Sequence, residues 1–579
     1  MEASCEVGSQ NPVVALYFND GGKDVVLEEI LKAEGLPYTR IKSLNDLKDV
    51  KALILGELTL TPSQVDHLKA FVSEGGVLLA SKPNGYLSRV FGVEDTCRTQ
   101  RDGYLTLNED TPLVEVSYRG CFPIFGLSKL YSGGKVIAGL SPSQGHGGIV
   151  KCELGKGAGY LIAYDVPTTF LTIQQPDAEV GRAYDIWKIE PALSQAPLLD
   201  LMRRLLVNLV VESIDYPLPR KWYFPYGRKA LVLLSGDQDG ADRKVMDAVK
   251  ALVTKCAAPY TLYATPRSQP LQGDEIRELR GFGVEVAVHP DFANRRYPFT
   301  EEEFKAQLSK TEDEAGVKVI GTRSHCLRWE RVVDLPVWME KHGVEYDSDL
   351  GFRVPLDKPG TEAFKLGYYA GGGLPYFFIH PRSFRRIDAL EEPIMVSDDV
   401  LWAKPDRRIA VNDVPGMGAA FRGGMGLSEE EAFQLAKKFM DDSLEKYYTS
   451  QCYIFHPVYL AMGASANCFQ RIVEYAKEKD VLLLTQGEWN TYWRSREEAY
   501  FTGLAWGPRG ETLEFTVRGK RKVEDMTFIA PLTHRGRKVK VTVDGKPAPY
   551  REEWVNKRGC AMFTADVGVK GTCIILRYT

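Results

Sequence analysis

The sequence predicts a multidomain α/β protein, and three observations carry that prediction. Strand-like and helix-like segments alternate over residues 12–214. The same alternation recurs over 215–500. From 501 to 579 the helical pattern stops and apolar residues recur at period two. The 579 residues give room for roughly three to four domains. At 44% hydrophobic and 26% charged, the composition is that of ordinary globular chains.

The first region opens with the strand "VVALYF" and the amphipathic helix "DVVLEEILKAEG", which ends at Gly35. "VKALILGE" is a second strand. Thr61 then caps a helix, Pro62 suits its first position and Gln64 completes a capping box. Val65, Leu68, Phe71 and Val72 form its apolar stripe, Gly75-Gly76 ends it, and "VLLA" is the next strand. This alternation argues for a parallel sheet with helices on its faces. The layout resembles the class I glutamine-amidotransferase-like fold, an α/β sandwich. That family's nucleophile is a Cys on a strand-to-helix elbow. Here the stretch reads "LLASKPNG" without a Cys, and His146 in "SQGHGG" has no evident partner. The domain is expected to be a non-catalytic scaffold or binding module.

"DYPLPRKWYFPYG", 215–227, combines three prolines with five aromatics and reads as a stiff, packed connector at a domain boundary. Beyond it come the apolar runs "ALVLLS", "YTLYA", "VEVAV", "VKVIG", "PYFFI", "PIMV", "CYIF" and "VLLLT". Helical patterns cover 242–255, 301–314, 428–447 and 468–478. Such alternation predicts a distorted (β/α) barrel. In the last region "GETLEFTVRG", "DMTFIAP", "KVKVTVDGKPAPY" and "GTCIILRYT" alternate at period two, with Asp544-Gly545 as a turn. They predict a small β-sandwich, structural or carbohydrate-binding.

A net charge of −4 gives no global pull toward nucleic acid or anionic membrane. No apolar stretch approaches the ~18 residues of a membrane span. The start has neither a basic segment nor an apolar one, which predicts a cytoplasmic protein, or an extracellular one if a leader has been trimmed. Ten cysteines without a CxxC pair suit a reducing compartment, although a disulfide framework stays open.

The chemistry concentrates where strands of the middle region should end. Asp237, Asp239 and Asp242 follow "ALVLLS", His289 follows "VEVAV", and Arg323 and His325 follow "VKVIGT". Asp347 and Asp349 follow "VEY", and His456 follows "CYIF". Closely packed carboxylates repel one another, so a cation helps them coexist, while an Asp/Gly-rich turn is the plainer reading. In a barrel these strand ends meet at one mouth, and Asp, His, His and Arg there are the inventory of a metal-assisted hydrolase. Three of the eight histidines share an apolar run followed by His-Pro: His289, His380 and His456. Trp329, Trp402, Tyr376 and Phe377 lie near the expected mouth and suit either sugar rings or the barrel core. Asp398 and Asp399 could bond sugar hydroxyls or cap the next segment.

The order of motifs resembles the polysaccharide deacetylase (NodB-homology) carbohydrate esterases over about half the chain. "SGDQDG" is similar to that family's first motif, "EVAVHPDFAN" to its His motif and "GTRSHCLRW" to its Arg motif. "YDSDLGF" is similar to its Asp motif and "YIFHP" to its closing His motif. The resemblance implies a metal-dependent deacetylase of N-acetylated or, second, O-acetylated sugars. Its implied divalent ion is zinc first, its base Asp237 and its metal ligand Asp239. The family's second metal His, four residues after the first, is replaced by Ala293. His325 is the candidate substitute, completing an Asp239, His289, His325 triad with open positions for water. Arg323 would hold Asp237 ionised, His456 would protonate the leaving group, and Asp347 or Asp349 would fix the His456 tautomer. Two alternatives stay open: a catalytically weakened carbohydrate-binding protein, and a two-carboxylate glycoside hydrolase.

Overall fold

The computed structural model describes residues 13–108, 120–175, 196–267, 271–292, 298–351, 367–368, 371–396, 428–461, 465–507 and 510–579. It is a mixed α/β chain with several sheets. It packs as two compact units: Met1–Thr172 with Leu201–Gly227 and Tyr492–Thr579, and Ile173–Asp200 with Arg228–Thr491.

In the first unit, strands Thr39–Arg40, Val14–Tyr17, Ala52–Leu55, Val77–Ser81 and Gly157–Ile162 lie side by side in parallel. Helix Pro62–Ser73 carries the expected Thr61/Gln64 capping box, which satisfies donors the first turn leaves open. The sheet continues through four antiparallel strands, including the long pair Val93–Leu107 and Cys121–Gly133. The C-terminal segment of this unit forms two antiparallel sheets. The proline-rich connector is packed: Trp222, Tyr223 and Phe224 are buried, and Arg220–Lys221 adds a strand beside Val523–Pro531. Asp544 and Gly545 both take positive φ, 46° and 76°, the geometry of a tight primed hairpin turn.

The second unit is built on a sheet whose order runs Tyr376–Ile379, Arg386–Glu391, Tyr346–Asp347, Gly321–Thr322, Val284–Val288, Tyr260–Ala264, Leu231–Asp237, Ser450–Ile454, Ile394–Val396. Every neighbour pair is parallel except the first. "PYFFI" is therefore an antiparallel hairpin arm and not one of the parallel strands. Glu392 and Pro393 alone separate Arg386–Glu391 from Ile394–Val396. These strands stand near opposite ends of the order, so the chain itself draws the two ends of the sheet together. Helices Arg243–Cys256, Glu301–Ala315 and Asp334–His342 lie between successive strands. Glu301–Ala315 starts at a Thr300 cap, carries Glu301, Glu302 and Glu303 in its first turn and stops at Gly316 with φ 63°. Acids at the positive end of the helix and a left-handed glycine after it define both ends. Phe304 and Leu308 of this helix pack with Val288, Trp329, Leu335 and Met339 in one buried cluster.

Candidate metal centre

Parallel ladder bonds run past the ends of the strands and carry the polar residues with them. Gln238 donates its N–H to Tyr263 O, His289 to Ala264 O (2.8 Å), Arg323 to Val288 O (3.1 Å) and His325 to Pro290 O (2.9 Å). Gly236 is required just before the first acid, because a Cβ there would stand 1.9 Å from Tyr260 Oη and 2.0 Å from Phe455 O. The turn that follows is braced by Gln238, whose side chain accepts from Thr265 N and donates to Ala241 O. It holds Asp239 at φ 48°, a left-handed conformation that a non-glycine residue adopts at a cost.

Three donor atoms converge here. Asp239 Oδ1 lies 3.4 Å from His289 Nε2 and 3.5 Å from His325 Nε2, and one ligand atom from each residue falls within 4.8 Å of the others. The tautomers follow from what the other ring nitrogens face. His289 Nδ1 meets the carbonyl of Arg323 at 2.6 Å, and His325 Nδ1 meets Asp291 Oδ1 at 3.1 Å. Both partners are acceptors, so both rings carry the proton on Nδ1 and turn the Nε2 lone pair toward Asp239. His289 Nε2 and Asp239 Oδ1 are buried without a hydrogen-bond partner. Facing acceptors with no donor between them are costly, and a cation removes that cost. Donors sharing a tetrahedral ion at about 2.0–2.1 Å stand about 3.4 Å apart, which matches the two edges measured. The donor set therefore fits a divalent metal ion.

Asp237 is the neighbouring acid. Arg323, fully buried, donates from Nη1 to its Oδ1 at 2.9 Å, from Nε to Ser348 O at 2.9 Å and from Nη2 to Ser348 Oγ at 3.0 Å. Its guanidinium also lies over the Tyr263 ring at 4.0 Å. Burial pushes the Asp237 carboxyl up, but its neighbours, Arg323 first, outweigh it and hold it below the usual range. His456 Nε2 stands 3.6 Å from Asp239 Oδ2 and 4.0 Å from Asp237 Oδ2.

The structure thus brings Asp237, Asp239, His289, Arg323, His325 and His456 together. Other expectations need correction. Asp242 caps helix Arg243–Cys256, accepting from Val245 N at 3.0 Å, so the plainer reading holds for that one acid. His380 sits at the turn of the Tyr376–Ile379 hairpin, its Nδ1 accepting from Arg382 N and Ser383 N at 3.3 Å. Asp347 and Asp349 belong to a buried acid cluster with Glu391. Asp349 Oδ1 accepts from Ser324 N, Asp347 Oδ2 accepts from Asp349 N, and Glu391 stands beside them. The imidazole of His456 is faced by Asp237 and Asp239 instead. Trp329 is 1% exposed and stacks on Phe378 at 5.5 Å. Tyr376 and Phe377 are buried as well. All three are core, not sugar platform. Ala293, Asp398, Asp399 and Trp402 lie outside the described residues.

Sequence reasoning missed Asp291 and Ser348. Asp291 sits in plain view in "HPDFAN", two residues after His289. Its partner is 34 positions away, and no local pattern announces such a pair.

No protein-family model matches the chain, and no curated protein matches it. Among solved structures, a polysaccharide-deacetylase candidate from Mycobacterium smegmatis is 15% identical at TM-score 0.35, covering 48% of this chain and 94% of that one. The allantoinase PuuE is 13% identical at TM-score 0.34, covering 47% and 92%. A β-galactosidase from Bacillus circulans sp. alkalophilus is 16% identical at TM-score 0.24, covering 27% and 29%. Likenesses with TM-scores this low do not bear on the chemistry, which rests on the side-chain geometry of the second unit.

Proposed function

We propose that the second unit is a metal-dependent hydrolase that removes acetyl groups from N-acetylated, or secondarily O-acetylated, sugars of a poly- or oligosaccharide. The observation that carries the reading is the set of facing lone pairs on Asp239, His289 and His325, with two of the atoms buried and unpartnered. A divalent ion held by these residues, zinc first, would supply Lewis acidity toward the acyl oxygen and lower the pKa of a water. Every other role falls to the chain. Asp237, kept ionised and aimed by Arg323, takes the proton of the attacking water. His456, on the side of the site facing both acids, donates a proton to the departing amine or alkoxide. The deep burial of Arg323 and Asp237 keeps their pairing out of reach of solvent screening.

The test is elemental analysis of the purified full chain beside His289→Ala and His325→Ala, followed by acetate release from acetylated chito- and xylo-oligosaccharides. Near-stoichiometric metal that both variants lose, with acetate released and chain length unchanged, is the expected result. Absence of metal after reconstitution sinks the mechanism, and chain cleavage without acetate points to glycosidic chemistry.

A further inference from the structure

The family that the middle region resembles takes its second histidine ligand from the same segment as the first. In this chain the second imidazole comes from the neighbouring strand end, on the short 3-10 turn His325–Leu327. Such a ligand lacks the rigid spacing of a shared helix or loop and needs something to fix its ring. Asp291 supplies it. The Asp291 side chain is 8% exposed, and its Oδ1 lies 3.1 Å from His325 Nδ1. Asp291 is itself clamped: its N–H donates to Gln307 Oε1 at 2.7 Å and its carbonyl accepts from Gln307 Nε2 at 3.3 Å. Gln307 is fully buried in helix Glu301–Ala315, where its Nε2 also donates to Glu303 Oε1. A regular helix therefore fixes the main chain of Asp291, and its carboxylate meets the ring of His325.

We propose that Asp291 is the positioning residue that makes His325 a metal ligand, locking it in the Nδ1–H tautomer with Nε2 directed at Asp239. This inference rests on the metal-site reading above. A carboxylate is an acceptor only, so it can face Nδ1 only when that nitrogen carries the proton. The lone pair is then left on Nε2, 3.5 Å from Asp239 Oδ1. Removing the carboxylate removes the acceptor that selects the Nδ1–H form. For His289 the Arg323 carbonyl does the same work, so the two ligands are oriented by different kinds of acceptor.

Two measurements on the full-length protein test this. The first is zinc and cobalt affinity by chelator competition for wild type, Asp291→Ala and Asp291→Asn. The second is the tautomer of His325 in the metal-free protein, read from the imidazole 15N shifts of a selectively labelled sample, with His325→Ala assigning the signal among eight histidines. Asp291→Ala is expected to weaken metal binding about 10–100-fold and to mix the His325 tautomers. Asp291→Asn keeps an acceptor oxygen without the charge, and is expected to hold the Nδ1–H tautomer with intermediate affinity. Thermal midpoints of the metal-free forms identify any variant whose loss is one of folding. Wild-type affinity and an unchanged tautomer in Asp291→Ala would overturn the positioning role while leaving the metal site standing. A wild type that takes up neither metal overturns both readings.

Discussion

Replacing Arg323 by alanine should be among the costliest single changes in the second unit, and the reason is the acid it leaves behind. Arg323 is fully buried and Asp237 is 6% exposed. Their 2.9 Å bond is the principal force holding the carboxylate ionised against its own burial. Breaking a buried pair by removing one partner costs about 3–5 kcal/mol. At about 1.4 kcal/mol per pKa unit, that corresponds to an upward move of Asp237 by up to roughly two to four units. The sign follows from linkage. In the wild type the folded pKa lies below the unfolded one, so the carboxylate contributes stability above pH 4 that is lost as pH falls through the folded value. In Arg323→Ala the order reverses and the contribution turns unfavourable as pH rises. Urea unfolding at pH 5 and pH 8 reads the stability term, and the acid limb of kcat/KM for acetate release reads the base. The expected result is a midpoint loss larger at pH 8 than at pH 5, with the acid limb displaced to higher pH. An acid limb that stays put in Arg323→Ala would refute Asp237 as the base that Arg323 serves. Arg323→Lys should recover the charge but not the bonds to Ser348, and so fall between the two.

Three further outcomes separate the residues that the sequence groups together. Asp242→Ala should lose about 1 kcal/mol of stability, as helix caps do, with metal content unchanged by elemental analysis. Trp329→Ala should lose about 3–5 kcal/mol in urea unfolding, whereas an aromatic that stacks on sugar would instead raise KM with stability intact. Burial and then neighbouring acids push Asp347 and Glu391 up; the folded form therefore binds more protons, and stability falls as pH rises above about 4. Asp347→Asn should thus flatten the pH dependence of the urea midpoint between pH 5 and 9 and raise it at pH 9, by about 1–3 kcal/mol if it relieves one unsatisfied buried group.

How much of this was legible depended on whether the cause was local. The Thr61 capping box, the Asp544-Gly545 turn and the helix over 301–314 were readable because caps, turns and amphipathic stripes are written within a few residues. The convergence of Asp237, Asp239, His289, Arg323 and His456 was readable for a different reason: parallel strands place their C-terminal ends at one edge whatever lies between them. Which face of a strand end a side chain takes was not readable. Trp329, Tyr376 and Phe377 go into the core, and Asp347 and Asp349 join Glu391 in a buried acid cluster.

The second imidazole shows where local grammar stops. A search along the sequence looks for it four residues after His289, the distance that brings two side chains to one side of a helical turn. Here the spacing is set across strands. His289 follows Val284–Val288, His325 follows Gly321–Thr322, and these two strands are paired neighbours. Adjacent strands lie about 4.8 Å apart, and the two imidazole centroids are 5.2 Å apart. The ladder bonds from Arg323 N to Val288 O and from His325 N to Pro290 O set that distance. The interstrand spacing of a parallel sheet thus does the work of a helical turn. Because it fixes distance without fixing ring orientation, a carboxylate such as Asp291 becomes necessary beside the second ring and dispensable beside the first, whose ring a main-chain carbonyl already holds.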